Sequence, residues 1–312
     1  MAAPSEVARA RQKSLDAGTI ARDNEDGTYS MPERFECEAG ASRFQQTVKM
    51  PGILADGTRA YAYTTIDCEG FMPIHVRSKE IAPIVFLPGD PDRAKWIAEN
   101  VLSDAVCTTE YRRMFGYTGT FEGTRVSVQT TGMGGPSAAI VCEELISLGA
   151  KFLIRIGTCG AMDARMNPGD LLIVHAACMA DGTSKEIIRS YMAGTNLDLG
   201  FPATSDYNFV SAAADAAKSL DIPHHVGKVA SLDRFYGHSD DTYKKLLKLG
   251  ICAVEMEAAT VLSIAALHNI RAAAMMTVSD QVFGAKRADE ATIAKGVKDM
   301  ITVALHAIKR IS

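Results

Sequence analysis

The chain has 312 residues, 47% of them hydrophobic and 22% charged, with a formal net charge of −4 and a pI near 6.0. That is enough apolar chain for one large domain or two smaller ones, and an acidic balance argues against nucleic acid as a partner. No apolar run reaches the roughly 20 residues of a membrane helix, and the seven cysteines are scattered and never form a CxxC pair, which argues against a zinc site or disulfide framework.

A reducing compartment fits those cysteines, so the expectation is a cytoplasmic protein with no metal. Of the histidines only His224 and His225 are adjacent, without metal-ligand spacing. The opening MAAPSEVARARQKSLDAG has no apolar core, so no secretory leader is expected. Arg9, Arg11, Lys13 and Arg22 resemble a transit peptide, but Glu6, Asp16 and Asp23 oppose that reading. Residues 1–70 are polar and irregular, with turn signals in DNEDGTYS and LADGTRA. VARARQKSLDAG predicts a short helix and RAYAYTTI a strand. The segment 1–70 reads as an N-terminal extension without recognisable chemistry, and 71–312 as the main domain.

From residue 80 the pattern becomes regular. IAPIVFLPGD is a short apolar run ending in Pro-Gly, which predicts a buried strand, and PDRAKWIAENVL follows as a helix with Pro91 in its first turn. TRVSVQTTG reads as a strand, and PSAAIVCEELISLGA as a helix opened by Pro136 and closed by Gly149. KFLIRIGTCG and GDLLIVHAA are buried strands. NFVSAAADAAKSLD and DDTYKKLLKLG are helices, with the strand HHVGKVAS between them. MEAATVLSIAALHN is a largely apolar helix, RAAAMMTVSD a strand, and Asp289 to Arg310 a long final helix. Strands alternating with helices predict an α/β fold with a mainly parallel central sheet. Ligands in such folds bind beyond the carboxyl ends of the strands.

Four strand ends carry unusual residues. In LPGDPDRA, Gly89 permits close backbone approach and Arg93 lies in the first helical turn, a pairing suited to an anion. Taken alone it reads better as an ordinary strand-turn-helix with a surface arginine. TGMGGPS places three glycines before a helix, which suits phosphate or a flat ligand, although the GxGxxG spacing is absent. In LIRIGTCGA, Arg155 interrupts a buried strand and requires a partner. An oxyanion held with Thr158 and the backbone near Gly157 is the preferred partner, and a core carboxylate is the alternative. Cys159 reads as packing rather than as a nucleophile. In MMTVSDQ, Asp280 closes an apolar strand, where a carboxyl group is placed to act as an acid or to cap a turn. To these the stretch AVEMEAAT adds Glu255 and Glu257, two carboxylates in apolar chain that need donors. The set suits an oxyanion, vicinal hydroxyls and a basic leaving group.

From about 74 to 309 the chain resembles the nucleoside phosphorylases of the bacterial purine nucleoside and uridine phosphorylase superfamily. The matching stretches are LPGDPDRA, RRMFGYTGTFEG, TGMGGPS, EELISLGAKFLIRIGTCGA, the FY pair at 235–236, VEMEAA and TVSD, in that order. The resemblance implies a single-domain α/β fold of the phosphorylase/hydrolase-like kind, a mixed, mainly parallel sheet flanked by helices. It implies phosphate binding by Gly89, Arg93, Arg155 and Thr158, with Arg112 lent by a neighbouring subunit. His75 would be lent to the ribose, Phe235 would pack on the nucleoside, and Met256 and Glu257 would contact the sugar with Glu255 supporting them. Asp280 would protonate the leaving base at N7, with phosphate as co-substrate and neither metal nor organic cofactor. The borrowed residues imply at least a homodimer, with a hexamer built as a trimer of dimers as the larger option.

A Gln and an Arg follow the FY pair in uridine phosphorylases; here the sequence is FYGHSDD, and the Asp of TVSD follows the purine pattern. TGMGGPS and RIGT lean toward the uridine branch. A helper arginine of the purine enzymes is replaced by Ile293, with Arg287 and Lys286 nearby as substitutes. The expected activity is phosphorolysis of a purine nucleoside. The rivals are uridine phosphorolysis, a water-using nucleosidase, and a non-catalytic nucleoside-binding protein.

Overall fold

A computed structural model of the chain describes residues 44–53, 59–68, 73–78, 80–195, 200–284 and 286–311. The backbone contacts divide it into two units, Met1–Met72 and Pro73–Ser312. In the first unit, β1 (Phe44–Ile53) and β2 (Arg59–Cys68) pair antiparallel, from Phe44 opposite Cys68 to Ile53 opposite Arg59. The strand expected at RAYAYTTI lies within β2. The helix expected at VARARQKSLDAG lies outside the described residues.

The second unit alternates strands and helices as the apolar pattern requires. It runs β3 (Ile84–Pro88), α1 (Pro91–Asn100), β4 (Ser103–Thr109), β5 (Gly116–Phe121), β6 (Thr124–Gln129), α2 (Gly135–Ser147), β7 (Phe152–Ala161) and β8 (Leu171–Met179). It continues with α3 (Gly182–Tyr191), β9 (Ala203–Thr204), α4 (Tyr207–Ser219), β10 (His224–Ser231), α5 (Asp240–Lys248), β11 (Ile251–Glu255), α6 (Ala258–Leu267), β12 (Arg271–Gln281), β13 (Lys286–Arg287) and α7 (Glu290–Ile311). Within this unit the sequence reading omits β4, β5, β11, α3 and the two-residue strands β9 and β13. β4 is an edge strand whose side chains are mostly exposed, so it carries no alternating signal. β11 is five residues long and merges with the apolar start of α6.

Strands β3 to β13 form one 11-stranded mixed sheet. At its centre β3 runs parallel to both β6 and β7, and β7 runs parallel to β12. β8, β10 and β11 also run parallel to one another. Antiparallel ladders join β12 to β8 and β11 to β7, so β7, β12, β8, β10 and β11 pair in a closed cycle. A closed cycle leaves no free edge on that side of the sheet, while β4 and β5 end the other side antiparallel.

The pleat sorts the core. Val85, Leu87, Leu153, Ala274 and Met276 face α2 and α6 in one apolar cluster. Phe86, Ile154, Ile156, Ala273 and Met275 face α1, α4 and α7 in another. Successive strand residues point to opposite faces, so Arg155, two residues past Leu153, projects to the α2 and α6 side. Helix α6 is buried from Ala258 through Ala265, which explains why AATVLSIAAL is apolar all round. Among the described residues no helix is long and apolar enough to cross a membrane.

Candidate active site

The carboxyl ends of β3, β7 and β12 and the starts of α1, α2 and α6 surround a cleft of about 930 Å³. Of the residues singled out from the sequence, Gly89, Arg93, Arg155, Thr158, Phe235, Glu255, Met256, Glu257 and Asp280 line it. His75 and Arg112 do not.

At the anion end, Arg93 donates from Nη1 to the Ile156 carbonyl at 3.1 Å. Burial, then the nearby Arg155 guanidinium, lower its pKa to about 10, so it stays a cation at neutral pH. Arg155 is only 4% exposed. Its Nη2 donates to Glu257 Oε2, while its Nη1 lies 3.5 Å from the Leu87 carbonyl. The sequence reading offers Arg155 an oxyanion first and a core carboxylate second; within the chain its carboxylate partner is Glu257. A guanidinium this deep takes the nearest anion, and Glu257 supplies it across the α6 entrance. Among the described residues Nε of Arg155 has no acceptor within hydrogen-bond distance, and it sits 3.9 Å from Glu255 Oε2. Gly157 makes the arrangement possible, since a Cβ there would stand 2.7 Å from Arg155 Nη2 and 2.8 Å from Met276 Sδ.

The two glutamates divide their work. Glu255 Oε2 accepts from the backbone N–H of Glu257 and of Ala258, both at 2.8 Å, and its other oxygen accepts from Ser231 Oγ. Ser231 Oγ in turn accepts from Ala259 N at 2.8 Å. Glu255 and Ser231 thus satisfy first-turn donors of α6 that a helix leaves unpaired. Burial, then the neighbouring Glu257, push the Glu255 carboxyl above its ordinary pKa, and Arg155 opposes the rise. Glu257 accepts from Gly134 N at 2.5 Å and from Arg155. A carboxylate has about four lone-pair sites, which leaves Glu257 acceptor capacity toward the cleft.

On β12, a register shift between Val278 and Asp280 sets Asp280 across from Gly160 of β7. Gly160 makes room for it, since a Cβ there would come within 3.1 Å of Asp280 Oδ2. Asp280 Oδ1 accepts from Ser279 Oγ at 2.6 Å and lies 3.7 Å from Arg287 Nη1. The two-residue strand β13 brings Arg287 there by pairing it with Asp280. Ile293 lies in an adjoining cavity of about 680 Å³ beside Trp96, outside the main cleft. Phe235 is exposed at the mouth and packs edge-on against Tyr236, with ring centroids 4.9 Å apart. Burial drives the Cys159 thiol well above its ordinary pKa, which fits packing rather than nucleophilic attack.

Ser279, Gly160 and Ser231 escaped the sequence reading. Ser279, beside Asp280 in TVSD, was the one with a visible cue; the other two act through pairings between strands distant in sequence. His75 and Arg112 lie together elsewhere. His75 N and Nδ1 both sit 2.8 Å from the buried Glu144 carboxylate, and the Tyr111 ring contacts both His75 and Arg112. Burial alone would raise the Glu144 carboxyl; donors from Val76 and His75 outweigh it and hold it below its ordinary pKa. Among the described residues no group of three or more His, Cys, Asp or Glu is placed to ligate a metal.

Comparison with known proteins bears on this cleft. Residues 83–311 match the family described as the phosphorylase superfamily. A purine nucleoside phosphorylase DeoD-type from Streptococcus pyogenes serotype M12 is 44% identical over 214 residues, covering 68% of this chain and 87% of that protein. Proteins of the same name from Streptococcus thermophilus and a Jannaschia species are 42% and 38% identical over 244 and 239 residues, each alignment covering 76% of this chain and 99% of the relative.

Proposed function

The chain belongs to the phosphorylase superfamily, and from that premise we propose that it cleaves the N-glycosidic bond of purine nucleosides with phosphate, releasing the base and a pentose 1-phosphate. The observation that carries this reading is the convergence of Arg93, Arg155, Glu257 and Asp280 on one cleft. Breaking the C–N bond builds positive charge on the sugar and negative charge on the base. Phosphate at Arg93 and Arg155 stabilises the sugar cation and then attacks C1′. Glu257 fixes the sugar hydroxyls, Met256 presents an apolar face, and Phe235 packs on the nucleoside. Asp280 is the general acid that delivers a proton to N7 of the leaving purine. Preorganised charge of this kind supplies the larger share of catalysis, with the acid adding to it. No metal or organic cofactor has a role in this scheme.

His75 and Arg112 complete a neighbour's cleft, so the working enzyme is at least a homodimer, and it acts in the cytoplasm. We read residues 1–70 as an N-terminal extension and 71–312 as the catalytic domain. FYGHSDD offers no Gln–Arg pair to read a pyrimidine, which favours purine over uridine. Arg93 and the buried Arg155 favour phosphate over water. Base release from inosine, adenosine and uridine, with and without phosphate, tests the reading: purine release that requires phosphate is expected. Release without phosphate would establish a nucleosidase, and binding without release a storage protein.

Arg287 takes the place of the helper that Ile293 cannot provide, holding one oxygen of Asp280 so that the other faces the base. The pair is largely exposed, and such pairs contribute about 0.2–1 kcal/mol. Arg287→Ala is therefore expected to lower kcat on inosine by no more than about fivefold, with the KM for phosphate unmoved. A raised phosphate KM would place Arg287 at the anion instead.

A further inference from the structure

The turn that carries Arg112 is built in an unusual way. Arg112 and Arg113 are consecutive non-glycine residues in the left-handed region, with φ of 53° and 58°. Such backbone is costly and persists only where its surroundings hold it. The turn closes through Arg113 N to Glu110 O and Met114 N to Tyr111 O, both at 3.0 Å, and Gln129 Nε2 donates to the Met114 carbonyl at 2.9 Å. Those bonds fix the backbone and leave the direction of the Arg112 side chain open. Among the described residues Arg112 has no carboxylate partner; its guanidinium carbon lies 5.5 Å from the centroid of the Tyr111 ring. Arg77 covers the same ring at 3.8 Å and is tied by Nε to the Ile74 carbonyl at 3.0 Å. His75 meets the ring at 5.8 Å, and Glu144 fixes its other side.

One aromatic ring therefore joins both residues that lie outside the cleft of their own chain. A cation over the face of a tyrosine is attracted by the ring's quadrupole when it lies within about 6 Å, and the phenyl face supplies this without neutralising the charge. A carboxylate in the same position would cancel the charge that an anion has to meet. We propose that Tyr111 is a positioning residue that holds Arg112 and His75 together in the orientation in which one subunit presents them to a neighbour's cleft, with Arg77 packing the ring in place. This rests on the reading that Arg112 and His75 serve a neighbouring subunit.

The test uses the full chain. Tyr111→Leu keeps bulk and removes the aromatic face, and Tyr111→Phe keeps the face. Tyr111→Leu is expected to raise the KM for phosphate by about fivefold or more with the oligomer intact, and Tyr111→Phe to stay within about twofold of the parent. Mixed oligomers give the second arm. Tyr111→Leu subunits co-assembled with Asp280→Asn subunits have active clefts served by intact neighbouring arms, so their phosphate KM is expected to return to the parent value. If Arg112→Ala raises that KM while Tyr111→Leu leaves it unmoved, or if mixing restores nothing, Tyr111 does not position the arm. Loss of the oligomer in Tyr111→Leu would place the ring in the interface itself and overturn the proposal. An unmoved KM in Arg112→Ala would remove the borrowed arm on which the proposal rests.

Discussion

Asp280→Asn is expected to lower kcat for inosine cleavage by about 10²–10⁴-fold, the range typical of general acid catalysis, while leaving phosphate affinity close to that of the parent. The substitution preserves shape, and Ser279 Oγ, 2.6 Å from Asp280 Oδ1, still finds an acceptor in the amide oxygen. It removes the carboxylic proton, so the purine must leave as an anion. The side chains assigned to phosphate, Arg93 and Arg155, are themselves unchanged, and no hydrogen bond joins either of them to Asp280 among the described residues. A nucleoside of an N7-methylated purine supplies the control, since its base departs without needing a proton and is expected to lose far less. Equal loss on both substrates would show that Asp280 binds the base rather than protonating it.

The second large effect is expected at Arg155. Arg155→Met should abolish phosphate-dependent turnover and lower stability by about 3–5 kcal/mol, the usual cost of removing one partner from a buried ion pair. Arg155, Glu255 and Glu257 are 4%, 6% and 4% exposed, so without the guanidinium two carboxylates share a site from which water is excluded. The Glu255 carboxyl is already raised by burial and by Glu257, and loss of Arg155 raises it further. A carboxyl whose folded pKa exceeds the unfolded value makes the folded state hold a proton that the unfolded state has released. Stability from that source is present below the unfolded pKa and is lost as pH rises through the folded one. Denaturant unfolding of parent and variant should therefore diverge more at pH 8 than at pH 5. A constant gap would mean that the pair does not hold the start of α6.

Much of this was legible in the chain because burial leaves a mark on residue choice. IVFLP, FLIRIG and AAAMMTV are apolar on both faces, as strands between two helical layers must be. Arg155 stood out for the same reason, as a charge where the pattern allows none. What stayed hidden is long-range pairing. Nothing local tells that Arg155 meets Glu257, 102 positions away, or that the register shift in β12 lays Asp280 over Gly160. Glu255 reads from the sequence as a support for Met256 and Glu257, but that it does so by accepting from the first N–H groups of α6 depends on where the helix begins. β4 was missed because an exposed edge strand needs no apolar alternation. The displaced pair His75 and Arg112 came from resemblance alone, and their shared contact with Tyr111 became visible only in three dimensions.

The central claim is that phosphate, not water, is the nucleophile toward a purine nucleoside. Following inosine turnover by phosphorus NMR in phosphate buffer tests it most directly. The account predicts ribose 1-phosphate appearing in step with hypoxanthine, one for one, and no turnover when phosphate is withheld. Hypoxanthine accompanied by free ribose, with the phosphate signal unchanged, would contradict it.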